Sequence, residues 1–265
     1  MQSLAAYGSL GDAALLVALS TTRIAVAFVL LPIFAPETVP ALVRGAIFLA
    51  LGALALALQP AVDPARLGAA QWMALFAREA LIGLGLGFAL AALLWAFEAA
   101  GSIVDTKVAV ANGQIGDPMA GQPLTPTATL LGRLASFLFM AGGGFMLYVG
   151  VLIESFGVWP LAEPGFVPRI AAVMLFERAF ADLMLLALML AAPALVVMFA
   201  VDLALGLVNR YAPQLNLIAI SMSLKQLAAT AVWIVVLGNL VAAFGDELAR
   251  RLARLLPELQ RALGG

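Results

Sequence analysis

The chain contains no histidine and no cysteine among its 265 residues. Without them there is no zinc site of the usual kind, no c-type haem attachment, no cysteine-held iron–sulfur cluster and no thiol nucleophile. A Ser-His-Asp triad is excluded on the same ground. No Gly-rich loop ending in Lys-Ser or Lys-Thr occurs, so nucleotide hydrolysis at a Walker-type site is not expected. Charge is scarce too: 11% of residues are charged, against about 25% in soluble domains. The net charge of −1 argues against a nucleic-acid partner. Met1-Gln2-Ser3-Leu4 lacks the basic opening of a cleaved signal peptide, so this N-terminus is expected to be retained. No metal, cofactor or catalytic residue is expected.

What is present is apolar. Hydrophobic residues make up 64% of the chain, and the mean hydropathy is +1.08. One core of this size could not hide so much apolar surface from water, and several stretches reach the roughly 20 residues that cross a bilayer core as a helix. An all-α membrane protein with about six apolar helical segments is expected, over residues 13–34, 45–62, 80–97, 128–153, 180–208 and 217–244. Pro32, Pro36 and Pro40 separate the first two, and Pro193 is placed to kink or break the fifth. Residues 246–265 form a polar, amphipathic tail with Leu248, Leu252, Leu255 and Leu259 at helical spacing, which Pro257 is placed to interrupt. Six spans put both termini on one side. Eight Lys and Arg then fall on that side, three on the other (Arg44, Lys107, Arg210), and three within spans, so a cytoplasmic C-terminal tail is expected.

Charges inside the apolar segments need an account. Arg23, Glu79, Glu98, Arg133, Asp182, Asp202 and Lys225 all lie within or at the edge of one. Facing lipid, Arg23, Arg133, Asp202 and Lys225 alone would cost roughly 10–14 kcal/mol on insertion scales. They must therefore be paired, face water or pack against protein. One pairing follows from spacing. If the last two segments form a hairpin turning at Pro213-Gln214, Asp202 and Lys225 are equidistant from the turn, and an ion pair between them would fix its register.

Between the third and fourth segments lies a long loop, about 101–127, whose core from Ala111 to Pro123 holds three Gly and two Pro and cannot be a continuous helix. Such backbone is tolerated at membrane depth only where it lines a cavity or is buried in protein. Gly83 and Gly87 stand at Gly-x-x-x-Gly spacing, and Gly142-Gly143-Gly144 precedes Phe145. Both runs read as helix-packing surfaces, because small residues let backbones approach closely.

Asp202, Gly206, Arg210, the run Pro213-Gln214-Leu215-Asn216 and the later Ser223-Leu224-Lys225 together resemble the signature of the FliR/SctT family. Arg23 with Pro32, Phe34, Pro40 and Arg44 is similar to that family's first hairpin, and Glu79 with Gly83 and Gly87 to its third segment. Asp117-Pro118 with Gly121 is similar to its central loop, and Gly143-Gly144 through Trp159-Pro160 to the helix that follows. Tyr211, Gly142-Gly143-Gly144 and Trp159-Pro160 lean to the injectisome branch rather than the flagellar one.

The resemblance implies a subunit of the type III secretion export gate. It implies a FliP/SctR-like region of helical hairpins at 1–160 with a plug loop at 108–127, a connector at 161–179, a FliQ/SctS-like hairpin at 180–245 and the tail at 246–265. Gly113, Ile115, Gly116, Asp117, Pro118, Met119 and Gly121 would then occlude a conduit for unfolded substrates, although the aromatic that often precedes Asp-Pro in the family is Gly116 here. Asp202, Gly206, Arg210, Pro213, Gln214, Asn216 and Lys225 would serve hairpin and subunit packing. The implied partners are SctR/FliP-like, SctS/FliQ-like, SctU/FlhB-like and SctV/FlhA-like proteins in the bacterial inner membrane. Two other classes stay open: a secondary transporter with Asp202 and Lys225 as an ion relay, and a membrane enzyme using a Ser221–Lys225 pair.

Overall fold

The computed structural model describes residues 10–36, 38–59, 64, 67–110, 126–161, 170–211 and 217–263. They form seven α-helices and one 3-10 turn: α1 (Leu10–Val29), the turn Pro32–Phe34, α2 (Ala41–Ala57), α3 (Ala69–Val110), α4 (Pro126–Ala141), α5 (Gly144–Val158), α6 (Ile170–Tyr211) and α7 (Leu217–Leu263). Four helices are long and apolar enough to cross a membrane, or five if α4 and α5 count as one broken span. The sequence led us to expect about six. The difference lies in the second segment, which is a 17-residue helix, and the fourth, which breaks at the glycine run.

Proline and glycine set these boundaries. Pro32 opens the 3-10 turn after α1, and Pro40 precedes the first turn of α2. Pro126 is the first residue of α4, where its missing N–H is no loss. Gly143 sits between α4 and α5 at φ 73°, and nothing lies within 4 Å of where its Cβ would be. It turns the chain instead of packing against a neighbour, because only glycine adopts that φ without strain. Neither proline breaks its helix: α6 continues through Pro193 and α7 through Pro257. A helix of more than 40 residues has enough other hydrogen bonds to hold its course past one missing N–H.

Packing divides the chain into two units. The first combines Met1–Ala92, Gly143–Phe180 and Leu248–Gly265. Its centre is an aromatic cluster in which the Phe28 ring lies 4.9 Å from Phe34, 5.4 Å from Tyr148 and 5.7 Å from Phe48. The Tyr148 hydroxyl donates to the carbonyl of Ala27. Gly83 and Gly87 let α3 lie directly on α1: a Cβ on either would stand 2.4 Å from the Arg23 carbonyl oxygen or 2.6 Å from that of Ala27. The end of α7 is tied to α3 by Arg251, which donates to the Ala89 carbonyl at 3.0 Å, while Leu248 and Leu255 are buried.

The second unit combines Leu93–Gly142 and Ala181–Glu247. Phe97 of α3 meets Phe244 of α7 edge to face at 5.4 Å. Leu131, Ala135 and Phe139 of α4 are buried, as are Ala187, Ala191, Ala194 and Met198 of α6.

Exposure differs sharply among the long helices. The most apolar stretch of α3 is 67% buried, against 28% for α6 and 22% for α7. Val196, Phe199, Leu203, Leu207, Ile234 and Val235 are all exposed. A face of that size is covered by lipid or by other protein.

Candidate functional site

Two clusters of charge occupy the apolar helices, one in each unit. In the first, the wholly buried Arg23 of α1 and Glu79 of α3 form an ion pair, with Arg23 Nε 2.7 Å from Glu79 Oε2. Arg23 Nη1 donates to Ser155 Oγ at 3.0 Å and Nη2 to the Trp159 carbonyl at 2.9 Å. Its guanidinium lies 3.9 Å over the Phe156 ring. Next to it, Arg78 donates to the Pro160 carbonyl at 2.9 Å and lies 3.7 Å from Glu79 Oε1. Gln59 completes the cluster, donating to the Phe156 carbonyl and accepting from the Leu161 N–H.

Both arginines also donate to carbonyls just beyond α5, where the helix dipole is negative. The cluster joins α1, α3 and the chain just beyond α5.

In the second unit, Asp202 of α6 lies between two lysines. Lys225 of α7 contacts its Oδ1 directly, and Lys107 of α3 stands 3.4 Å from Oδ2. The lysines differ in setting: the Lys225 side chain is 5% exposed and that of Lys107 43%. Lys225 directs its ammonium to Asp202. Two residues before Lys107, the buried Asp105 accepts from the Thr127 and Ala128 N–H groups at 2.8 and 3.2 Å. It satisfies two of the orphan donors at the start of α4 from another helix. Gly101 allows this approach, since a Cβ there would meet the Ala128 backbone at 2.5 Å.

The site residues expected from the sequence fall unevenly on this geometry. Asp202 and Lys225 are brought together. Gly206 and Arg210 are exposed on α6, and nothing lies within 4 Å of a Cβ built on Gly206. Pro213, Gln214 and Asn216 lie outside the described residues, as do Gly113, Ile115, Gly116, Asp117, Pro118, Met119 and Gly121. Sequence reasoning missed Asp105 as a cap and Lys107 as a second partner of Asp202. Nothing in the local pattern marks either, because their partners come from distant helices. Among the described residues no group of His, Cys, Asp or Glu is arranged to hold a metal ion.

Comparison with known proteins decides the family. The profile of "Bacterial export proteins, family 1" matches residues 14–250. The chain belongs to this family, the FliR/SctT family, and to its injectisome branch. It is 31% identical to the Yop proteins translocation protein T of Yersinia pestis over 219 residues, covering 80% of this chain and 82% of that protein. It is also 31% identical over 211 residues to the surface presentation of antigens protein SpaR of Salmonella typhimurium, covering 78% and 77%. Identity to the flagellar biosynthetic protein FliR of Escherichia coli is 28% over 191 residues, covering 72% and 71%. In FliR/SctT terms, both charge clusters fall inside the matched range.

Proposed function

We propose that this chain is a structural and gating subunit of a type III secretion export gate in the bacterial inner membrane. In this role it forms part of the conduit through which unfolded substrates pass. The observation that carries the proposal is the family match across residues 14–250, with relatives named for protein translocation and secretion. The exposed apolar faces of α6 and α7 support membership of a larger membrane assembly. SctR/FliP-like and SctS/FliQ-like subunits are the neighbours that fit it, with SctU/FlhB-like and SctV/FlhA-like proteins beside them. On this reading residues 1–160 are the SctR/FliP-like part, 180–245 the SctS/FliQ-like part, and the tail is cytoplasmic.

The gating element is the 108–127 segment, with Gly113, Ile115, Gly116, Asp117, Pro118, Met119 and Gly121 as plug residues. Asp105 supports this, because it holds the start of α4 against the last turns of α3, so that the chain leaves and re-enters at one place. Apolar side chains such as Met119 exclude ions from a closed constriction by dewetting it. The energy for export would come from the proton motive force and a separate ATPase, since this chain carries no nucleotide motif. The test is deletion of 113–121. Cells carrying the shortened chain should assemble the complex yet leak small ions, and unchanged conductance would remove the plug role.

A further inference from the structure

We infer that the outer face of α4, together with Glu98 of α3, is a docking surface for an apolar helix of another protein. That helix carries a carboxylate to meet Arg133 and a cation to meet Glu98. The inference deepens the export-gate reading and rests on it for the kind of assembly involved.

The juxtaposition of Glu98 with α4 is the starting point. Glu98 lies along Gly132, its Cβ, Cγ and Oε2 each within 3.7 Å of where a Gly132 Cβ would stand. Arg133 follows and is exposed, whereas Glu98 is half-buried. Neither makes an ion pair or hydrogen bond among the described residues. Elsewhere in this unit Asp202 and Lys225 are paired and Asp105 caps α4. Glu98 and Arg133 are opposite charges on adjoining helices, and neither has an ionic partner among the described residues.

The neighbours of Arg133 decide what answers it. Leu130, Phe137 and Met140 are 62%, 66% and 49% exposed, and with Arg133 they form one stripe at helical spacing. Leu130 lies about 4.5 Å below Arg133 along the axis, and Phe137 about 6 Å above it. A lipid headgroup has hydrocarbon on one side only, so it would leave one of these apolar flanks in water. In the hydrocarbon itself an unanswered Arg costs about 2.5–3.5 kcal/mol. A protein helix, apolar above and below a charged pair, satisfies both flanks and both charges.

The test is photo-crosslinking in native membranes, with a benzophenone amino acid replacing Leu130 or Phe137 in the full chain. We expect a single-protein adduct at both positions. Its yield should fall about tenfold in Arg133→Glu or Glu98→Lys, as like charges are forced together. It should return when the carboxylate on the crosslinked helix is changed to lysine alongside Arg133→Glu. Arg133→Lys, which keeps the charge, should retain the adduct and guards against mere misfolding. Adducts to lipid alone, no adduct, or an adduct indifferent to charge reversal would overturn the surface. If gate subunits still co-purify in that case, only the surface fails. A charge-dependent adduct to a protein foreign to secretion would keep the surface and sink the gate role.

Discussion

Removing Glu79 should damage this protein more than removing Arg23, and removing both should cost no more than the worse single change. The asymmetry follows from the partners. Glu79→Leu removes the carboxylate that both Arg23 and Arg78 face, and leaves the wholly buried Arg23 without its counter-ion. Arg23→Met leaves Glu79 with Arg78 at 3.7 Å, and deprives Ser155 and the Trp159 carbonyl of a donor. Breaking a buried pair by removing one partner costs about 3–5 kcal/mol. Arg23→Met belongs near the lower figure and Glu79→Leu near the upper. Arg23→Met/Glu79→Leu leaves one cation, Arg78, still donating to the Pro160 carbonyl. Its cost is then mainly the orphaned oxygens, about 1–3 kcal/mol each. The assay is thermal unfolding of each variant in the same mild detergent, with abundance in the membrane as a second readout. Single costs that simply add in the double variant would refute the idea that Arg23 and Glu79 stabilise each other.

Four further outcomes follow from the same geometry. Asp202→Ala leaves Lys225 buried without its counter-ion and should destabilise by about 3–5 kcal/mol, whereas Asp202→Ala/Lys225→Ala should recover part of that; a double variant no better than either single would rule out the pair. Lys107→Ala, on the exposed side of Asp202, should change stability by less than about 1 kcal/mol, measured on the same unfolding curves. Gly83→Ala should drive α3 off α1 and lower the yield of folded protein. By contrast, Gly206→Ala should stabilise the isolated chain by roughly 1 kcal/mol through helix propensity, while weakening assembly if a partner approaches Gly206 closely; unfolding of the free chain and recovery of the complex separate the two effects.

Much of the helical layout is legible in the sequence, because an apolar run of helical length announces itself whatever covers it. The break between α4 and α5 is not: the Gly142-Gly143-Gly144 run reads as a packing surface, whereas Gly143 adopts a positive φ that turns the chain. Asp202 and Lys225 could be matched by counting outward from a turn expected at Pro213-Gln214, since register on facing helices is arithmetic. The partners of Arg23 could not. Glu79 is 56 residues away and Ser155 is 132, and no local rule reaches that far. Pro193 and Pro257 do not break their helices, because a proline removes one hydrogen bond and a long helix held by its neighbours continues past it. Hydropathy also treats α3 and α6 alike, though one is mostly covered within the chain and the other is not.

The central claim, that this chain belongs to an export gate, is tested most directly by isolating the tagged protein from inner membranes of its host in mild detergent. Mass spectrometry then identifies what comes with it. The account predicts a stable complex containing SctR/FliP-like and SctS/FliQ-like subunits. A lone, monodisperse protein without either would contradict it and bring forward an independent transporter built around Asp202 and Lys225.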